Sequence, residues 1–416
     1  MNRFSEEVTL EGHIIDSWTL PRAFDTIMDL GGSFDVLEMQ VGRAKDEASF
    51  ARMKVSATSE KKLEEILLAL QAHGAEIASR EDVAYQPAPA DGVLPEDFYS
   101  TTHLPTQVRL NGHWVEVKST EMDLAIVVSP AYNEARMVPA GEVVAGELVA
   151  VGHDGIRILP PQRSRSREVF SFMGSNVSSE HPKRLVIEAI AQQLHEVRAR
   201  GGRVLVVAGP AIVHSGAGPI LAKLIREGYV QAVFGGNAIA THDVESQLYG
   251  TSLGVSLQDG LAVPGGHRNH MAAINTIRRA GSLQKAVESG LLQSGVMYEC
   301  IKNNVDLVLA GSVRDDGPMP DVITDTTKAQ VKMRNALHGV ELVLMIATML
   351  HSIATGNMLK ASTKVVAVDI NPAVVTKLAD RGTFQALGLV TDAELFLREL
   401  SNAVEAGPKP AVPEEA

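Results

Sequence analysis

The chain's 416 residues carry a formal net charge of −12; with no clustered run of Lys and Arg to neutralise phosphates, a nucleic-acid partner is disfavoured. Hydrophobic residues make up 45% and aromatics only 4%, the balance of helix-covered parallel sheets, and the length suggests two to three domains. The single cysteine, Cys300, excludes an intramolecular disulfide and a cysteine-built zinc cage, and no apolar run approaches the roughly 18 residues of a membrane span.

The opening Met1-Asn-Arg-Phe-Ser-Glu-Glu lacks the apolar region of a signal peptide, so a soluble, cytoplasmic protein is expected. Residues 8–16 alternate as a strand does, and 20–30 read as a helix ending at Gly31-Gly32. Strand-like runs follow at 34–42 and 49–57. A helix over 59–73 shows its period in Leu63, Ile66, Leu67 and Leu70, and another extended run lies near 75–85. This β-α-β-β-α-β order predicts a ferredoxin-like α+β module over residues 1–88. A Pro/Ala/Gly connector, 86–95, leads to short β runs at 106–110, 114–117, 124–128, 147–151 and 155–159, with a hairpin signal at Asn111-Gly112. They predict a small β-barrel-like module over 89–168. Arg163, Arg165 and Arg167 read as exposed linker.

From 169 to 405 the pattern becomes alternating strands and helices. A helix starting at Pro182 stops at Gly201-Gly202, and apolar strands follow at 203–208, 230–234, 305–310, 340–346, 364–369 and 385–390. The expectation is a Rossmann-like parallel sheet, α/β in class, covered on both faces. Cys300, in the apolar run 296–301, reads as a buried structural thiol, and the tail 406–416 reads as disordered.

In such sheets ligands bind beyond the carboxyl ends of the strands, and all six strand ends here lead into glycines and polar residues. Gly216-Ala-Gly218-Pro-Ile-Leu221 begins a dinucleotide fingerprint but has Leu at the third glycine, and no strand-end acid follows about 20 residues on; a tight turn is an equal reading. A better candidate is the strand 340–346, which leads into Thr348-Met349-Leu350-His351-Ser352 and then to the strand ending at Asp369. That spacing suits a phosphate-holding helix start and a ribose acid. A carboxylate at 369 would also oppose a 2′-phosphate by ~1–4 kcal/mol at about 4 Å, so NAD is expected rather than NADP. The competing reading of Asp369 is a cap for the segment from Pro372.

Arg268, within Gly265-Gly266-His267-Arg268-Asn269-His270, suits a bidentate contact to a substrate carboxylate, and His267 or His270 could carry protons. Zinc on His242, His267 and His270 is disfavoured, since neither cysteine partners nor an H-E-x-x-H pair accompany them; no metal is expected. Arg314-Asp315-Asp316 reads as amine binding plus a base, or as a self-satisfied ion pair at a turn.

Several long stretches are specific: SNVSSEHP (175–182), AGPAIVHSGAG (208–218), FGGNAIATHDVE (234–245), GGHRNH (265–270), LAGSVRDDGPMPDVITD (309–325), MIATMLHSIATGNML (345–359) and VDINPAVVTKLADRGTFQALGLVTD (368–392). With residues 12–43 they resemble the archaeal-type NAD-dependent ornithine cyclodeaminase family, also known by its lysine-oxoglutarate reductase/saccharopine dehydrogenase region. They are similar, too, to the C-terminal part of cyanobacterial arginine dihydrolase fusions. The resemblance implies conversion of L-ornithine to L-proline and ammonia with recycled NAD. It implies NAD contacts at Asn237, Ala238, Asp316, Met349, Leu350, His351, Asp369 and Asp392. Arg268 as the carboxylate clamp, and His242, Asp243, Glu245 or Asp315 as acid/base groups, are inferred from the chemistry alone. A homo-oligomer is expected from the small N-terminal modules. The rival readings are an NAD-dependent amino-acid dehydrogenase and a non-catalytic NAD- and amino-acid-binding regulator.

Overall fold

A computed structural model describes residues 4–15, 18–43, 47–71, 74–77, 81–159, 183–315, 317–381 and 386–408. Asp316, the arginines at 163, 165 and 167, the stretch 175–182 and the last residues of the tail lie outside them. The chain divides into two compact units, Met1–Phe172 with Asn357–Ala361, and Met173–Gly356 with Ser362–Ala416.

The first unit begins with β1 (Phe4–Gly12), β2 (Ser33–Gln40), β3 (Ser49–Ala57) and β4 (Glu76–Ile77). Their sheet order, β2-β3-β1-β4, with helices Thr19–Asp29 and Glu60–Gln71 in the crossovers, is the ferredoxin-like arrangement. Val8 and Leu10 of β1 meet Leu20, Ala23 and Ile27 of one helix and Leu63, Ile66 and Leu70 of the other in one core. The helical period of the second helix therefore buries the residues it marks.

The extended run near 75–85 does not form one strand. Only Glu76–Ile77 joins this sheet, while β5 (Ala84–Pro87) pairs with β10 (Leu148–Val151) in the next. The supposed connector thus begins as a strand, and Pro87 is tolerated because β5 is a sheet edge. The second sheet also contains β6 (Thr106–Leu110), β7 (His113–Lys118), β8 (Ala125–Val128), β9 (Ala135–Val138) and β11 (Ile156–Ile158), in the order β11-β6-β7-β9-β8-β10-β5. Asn111 and Gly112 both take positive φ, 50° and 79°, between β6 and β7. That is the backbone a two-residue hairpin demands. From far along the chain, Ala361 donates its N–H to the His103 carbonyl and is buried with Leu104 and Ile158.

The second unit holds β12 (Arg203–Ala208), β13 (Ala232–Gly235), the short hairpin β14 (Thr251–Ser252) and β15 (Val255–Ser256), then β16 (Asp306–Leu309), β17 (Val340–Ile346), β18 (Lys364–Asp369) and β19 (Ala386–Val390). Six of these form a parallel sheet in the order β16-β13-β12-β17-β18-β19. Val204–Ala208 and Leu342–Ile346 are buried without interruption, as strands covered on both faces are. The chain runs outward from β12 through β13 to β16, then crosses back to β17 and runs the other way. The order therefore reverses between β12 and β17, and the Rossmann arrangement places its ligand crevice at that reversal.

Candidate active site

The crevice at the reversal is tight because the backbones touch there. Gly209, just after β12, donates its N–H to the Ile346 carbonyl at 2.9 Å. A Cβ on Gly209 would stand 1.8 Å from the Ala347 carbonyl oxygen, so only glycine fits. Ala347 itself takes φ 51° as the chain turns from β17 toward the helix Leu350–Asn357. The Gly216–Gly218 stretch sits elsewhere, in a turn between the helices Ala211–His214 and Gly218–Arg226. It is a tight turn, though between two helices rather than between strand and helix.

The first turn of Leu350–Asn357 offers N–H groups that no residue of its own helix can accept. The Met349 and Leu350 side chains are exposed, leaving the backbone as the polar surface there. Ser352 Oγ in the same turn is fully buried without a hydrogen-bond partner among the described residues. His351 Nε2 lies 3.2 Å from the Ala310 carbonyl after β16, and its Cε1 would be 3.0 Å from a Cβ on Gly236. Asn237 and Ala238 begin the helix Asn237–Tyr249 directly after Gly236. Asn237 Oδ1 accepts from the Met319 N–H at 3.1 Å. Its Nδ2 has no hydrogen-bond partner among the described residues.

Asp369 stands at the end of β18, half-buried, where one oxygen accepts from the Asn371 N–H at 2.8 Å. Asn371, not Asp369, caps the following helix through Ala373 N–H. Asp392 is a helix cap: its Oδ1 accepts from the N–H groups of Glu394 and Leu395 at the start of Ala393–Glu405. An orphaned hydroxyl, a glycine held against an imidazole and unfilled helix-start donors along one strand edge fit a dinucleotide.

Farther along the helix Asn237–Tyr249 a second group of polar side chains is buried. His242 Nδ1 lies 2.8 Å from Glu245 Oε2, one helical turn on. Glu245 has no exposure and also accepts from Thr251 Oγ1 at 2.8 Å and from the N–H groups of Gly254 and Leu253. Burial pushes its pKa up, but the hydrogen bonds from His242, Gly254 and Thr251 outweigh burial and hold it below the ordinary glutamate value. An ionised carboxylate only accepts, so the shared proton sits on His242 Nδ1, leaving Nε2 for exchange. His214 packs edge-on to His242 with centroids 4.6 Å apart, and the His270 ring lies 6.4 Å from it. Asn269 Nδ2 donates to Thr251 Oγ1.

Asp243, on the same helix, does not share this environment. Its two oxygens accept from the Val296 and Met297 N–H groups at the start of Val296–Lys302, a capping role. Burial lifts it to about 6 against those donors. Cys300, on that same helix, is fully buried, and burial pushes its thiol up. Arg268 ends a short 3-10 turn, exposed, and its guanidinium has no partner among the described residues. Asp315 closes its own loop by accepting from the Ser312 N–H at 2.7 Å. No group of three His, Cys, Asp or Glu arranged to hold a metal occurs among the described residues. Sequence reading gave no role to His214 or Asn269, though both lie in stretches it singled out, and it did not consider Thr251 or Ser252. The first two end or begin helices and the other two form β14, and only the fold brings all four to the polar helix Asn237–Tyr249.

Comparison with known families covers residues 5–400. Residues 188–400 match the family described as arginine dihydrolase ArgZ-like, C-terminal, Rossmann fold, and residues 105–187 match its first region. Residues 5–104 match the conserved region of the LOR/SDH bifunctional enzyme. The chain is 55% identical over 408 residues to the ornithine cyclodeaminase of Methanocaldococcus jannaschii, spanning 97% of this chain and 96% of that one. The apo structure of ArgZ, a cyanobacterial arginine dihydrolase of the ornithine-ammonia cycle, is similar at TM-score 0.84 and 40% identity. AgrE of Nostoc, solved as a ternary complex with ornithine and NAD+, is similar at TM-score 0.53 and 47% identity. The matches to ArgZ and AgrE take in 97% of this chain but only 58% of each of theirs.

Proposed function

Because the chain belongs to the ornithine cyclodeaminase family with an ArgZ-like Rossmann fold, we propose that it converts L-ornithine to L-proline and ammonia using recycled NAD. The observation that carries this reading is the 55% identity to a curated cyclodeaminase along nearly the full length of both chains. AgrE, a bifunctional relative, has been solved with ornithine and NAD+ together.

In the net reaction the α-amine leaves as ammonia and the side-chain amine ends bonded to Cα. NAD, when bound, supplies a temporary hydride acceptor for Cα. The N–H groups around Met349, Leu350 and His351, with Asn237 and Ala238, would hold it, and Asp369 would accept from a ribose hydroxyl. Asp316 and Asp392 complete the cofactor contacts implied by the family. Arg268 clamps the substrate carboxylate, and Asp315 faces a cationic amine. Protons must leave one amine and reach the other, and the Glu245–His242 pair is suited to that exchange: the carboxylate fixes the ring and Nε2 does the transfer. Asp243 is buried with each oxygen accepting from a helix-start N–H, which suits it to capping rather than to that exchange.

The test is ornithine with substoichiometric NAD. More moles of proline than of NAD are expected, with no accumulation of NADH. Stoichiometric NADH would instead make the protein an amino-acid dehydrogenase, and binding of both ligands without product would make it a regulator. The proposal includes a cytoplasmic homo-oligomer. The exposed Val36, Leu37, Met39 and Val41 along and just beyond edge strand β2 support the assembly, and no helix among the described residues is long and apolar enough to cross a membrane.

A further inference from the structure

His214 belongs to none of the roles assigned so far, yet it closes a ring of contacts around His242. Its Nδ1 lies 2.7 Å from Ser252 Oγ. Ser252 follows Thr251, whose hydroxyl donates to Glu245 Oε1, and Glu245 Oε2 accepts from His242 Nδ1–H. His242 then packs against the edge of His214. Two imidazoles in contact thus sit on different partners, one on a carboxylate and one on a hydroxyl. We propose that His214 is a positioning residue for proton transfer by His242: pinned by Ser252, it packs against the His242 ring and holds that ring on Glu245. The inference rests on the reading of His242 as the proton-exchanging group.

The surroundings support it. Glu245 faces His242 from its own helix, His214 from the helix Ala211–His214, and His270 from the helix Asn269–Ala280. Burial and the neighbouring His242 both lower the proton affinity of His214, opposed only by Glu245. Two imidazolium charges at 4.6 Å oppose each other, so a proton arriving on His242 finds its neighbour neutral. A neutral neighbour neither competes for the substrate proton nor traps it.

The test compares His214→Phe, which keeps the ring without its nitrogens, with His214→Asn, which keeps a hydrogen-bonding group for Ser252. In the full-length protein, His214→Phe should lower kcat about 10-fold or more, with the ornithine KM and NAD affinity held within roughly 3-fold, and His214→Asn should regain most of that loss. Wild-type kcat in His214→Phe, or no rescue by His214→Asn, would reduce His214 to packing. Loss of NAD affinity in both variants would also overturn the proposal, since the damage would then lie in the fold. NMR of 15N-histidine-labelled protein reads the pair without substrate: His214 should stay neutral to below the usual imidazole range near about 6.5, and the His242 Nδ1–H signal, sharp while the ring is held on Glu245, should broaden in His214→Phe. If wild-type protein makes no proline, the cyclodeaminase reading fails, while the NMR result still decides whether His214 holds the His242 ring; an unchanged Nδ1–H signal in His214→Phe would overturn that.

Discussion

At the scale of single residues, identical chemistry serves opposite ends. Asp243 and Glu245 are two positions apart on one helix, and both are buried carboxylates. Glu245 is held charged by four donors, whereas Asp243 is lifted to about 6 by burial despite its two N–H partners. A carboxyl whose folded pKa lies above its ordinary 3.8 binds its proton more tightly when folded. Its contribution to stability is therefore greatest at low pH and falls as pH rises through the interval from 3.8 to about 6. Denaturant titrations of wild type and Asp243→Asn across that interval isolate the group: wild-type stability relative to the variant should decline with rising pH. A flat difference would place Asp243 near an ordinary carboxylate. Asp369 is the second residue to test. Its Asn371 contact uses one oxygen and leaves the other for a ribose hydroxyl. Asp369→Ala should weaken NAD by about 10-fold or more, the ~1.5–3 kcal/mol of a charged hydrogen bond, in an isothermal titration. Unchanged affinity would leave Asp369 with its turn alone.

At the scale of elements, the strands and helices of the Rossmann sheet follow the periods in the sequence closely, because each is long enough to average out local exceptions. The strands 203–208, 340–346 and 364–369 fall where their apolar runs lie. Short elements are less legible. β5 hides under a Pro-rich composition that only an edge position excuses, and β9 is only four residues, too short to show a period, between β7 and β8 in the sheet. The junction of β12 and β17 is where one element most constrains another. Gly209→Ala would drive a Cβ into the Ala347 carbonyl at 1.8 Å. The loops after both strands would have to part, with a loss of stability on the order of 2–4 kcal/mol and at least tenfold weaker NAD binding. Chemical denaturation and NAD titration of the same variant would check both; a stable variant with intact NAD affinity would mean the crevice does not need that contact.

At the scale of the whole molecule, a cofactor that binds only the folded chain must raise its melting temperature. NAD at 100 times its Kd should stabilise the protein by ~2.7 kcal/mol, seen as a shift of several degrees in a thermal scan. NADP should give a smaller shift, because the Asp369 carboxylate opposes a 2′-phosphate. Equal shifts would remove the ribose role from Asp369. Much of this architecture could be read from the sequence alone. Alternating and continuous apolar runs determined the ferredoxin-like and Rossmann sheets, Asn111-Gly112 determined its hairpin, and the polar strand ends marked the edge proposed to carry the chemistry, since all these depend on neighbours within a few residues. Which carboxylate does what was decided only by the tertiary structure. On a helix, residues three apart share a face and residues one apart do not, so His242 turns with Glu245 toward Thr251 and His214 while Asp243 turns away to cap a helix more than fifty residues on. The sequence places the three side by side, and packing against distant elements separates their roles.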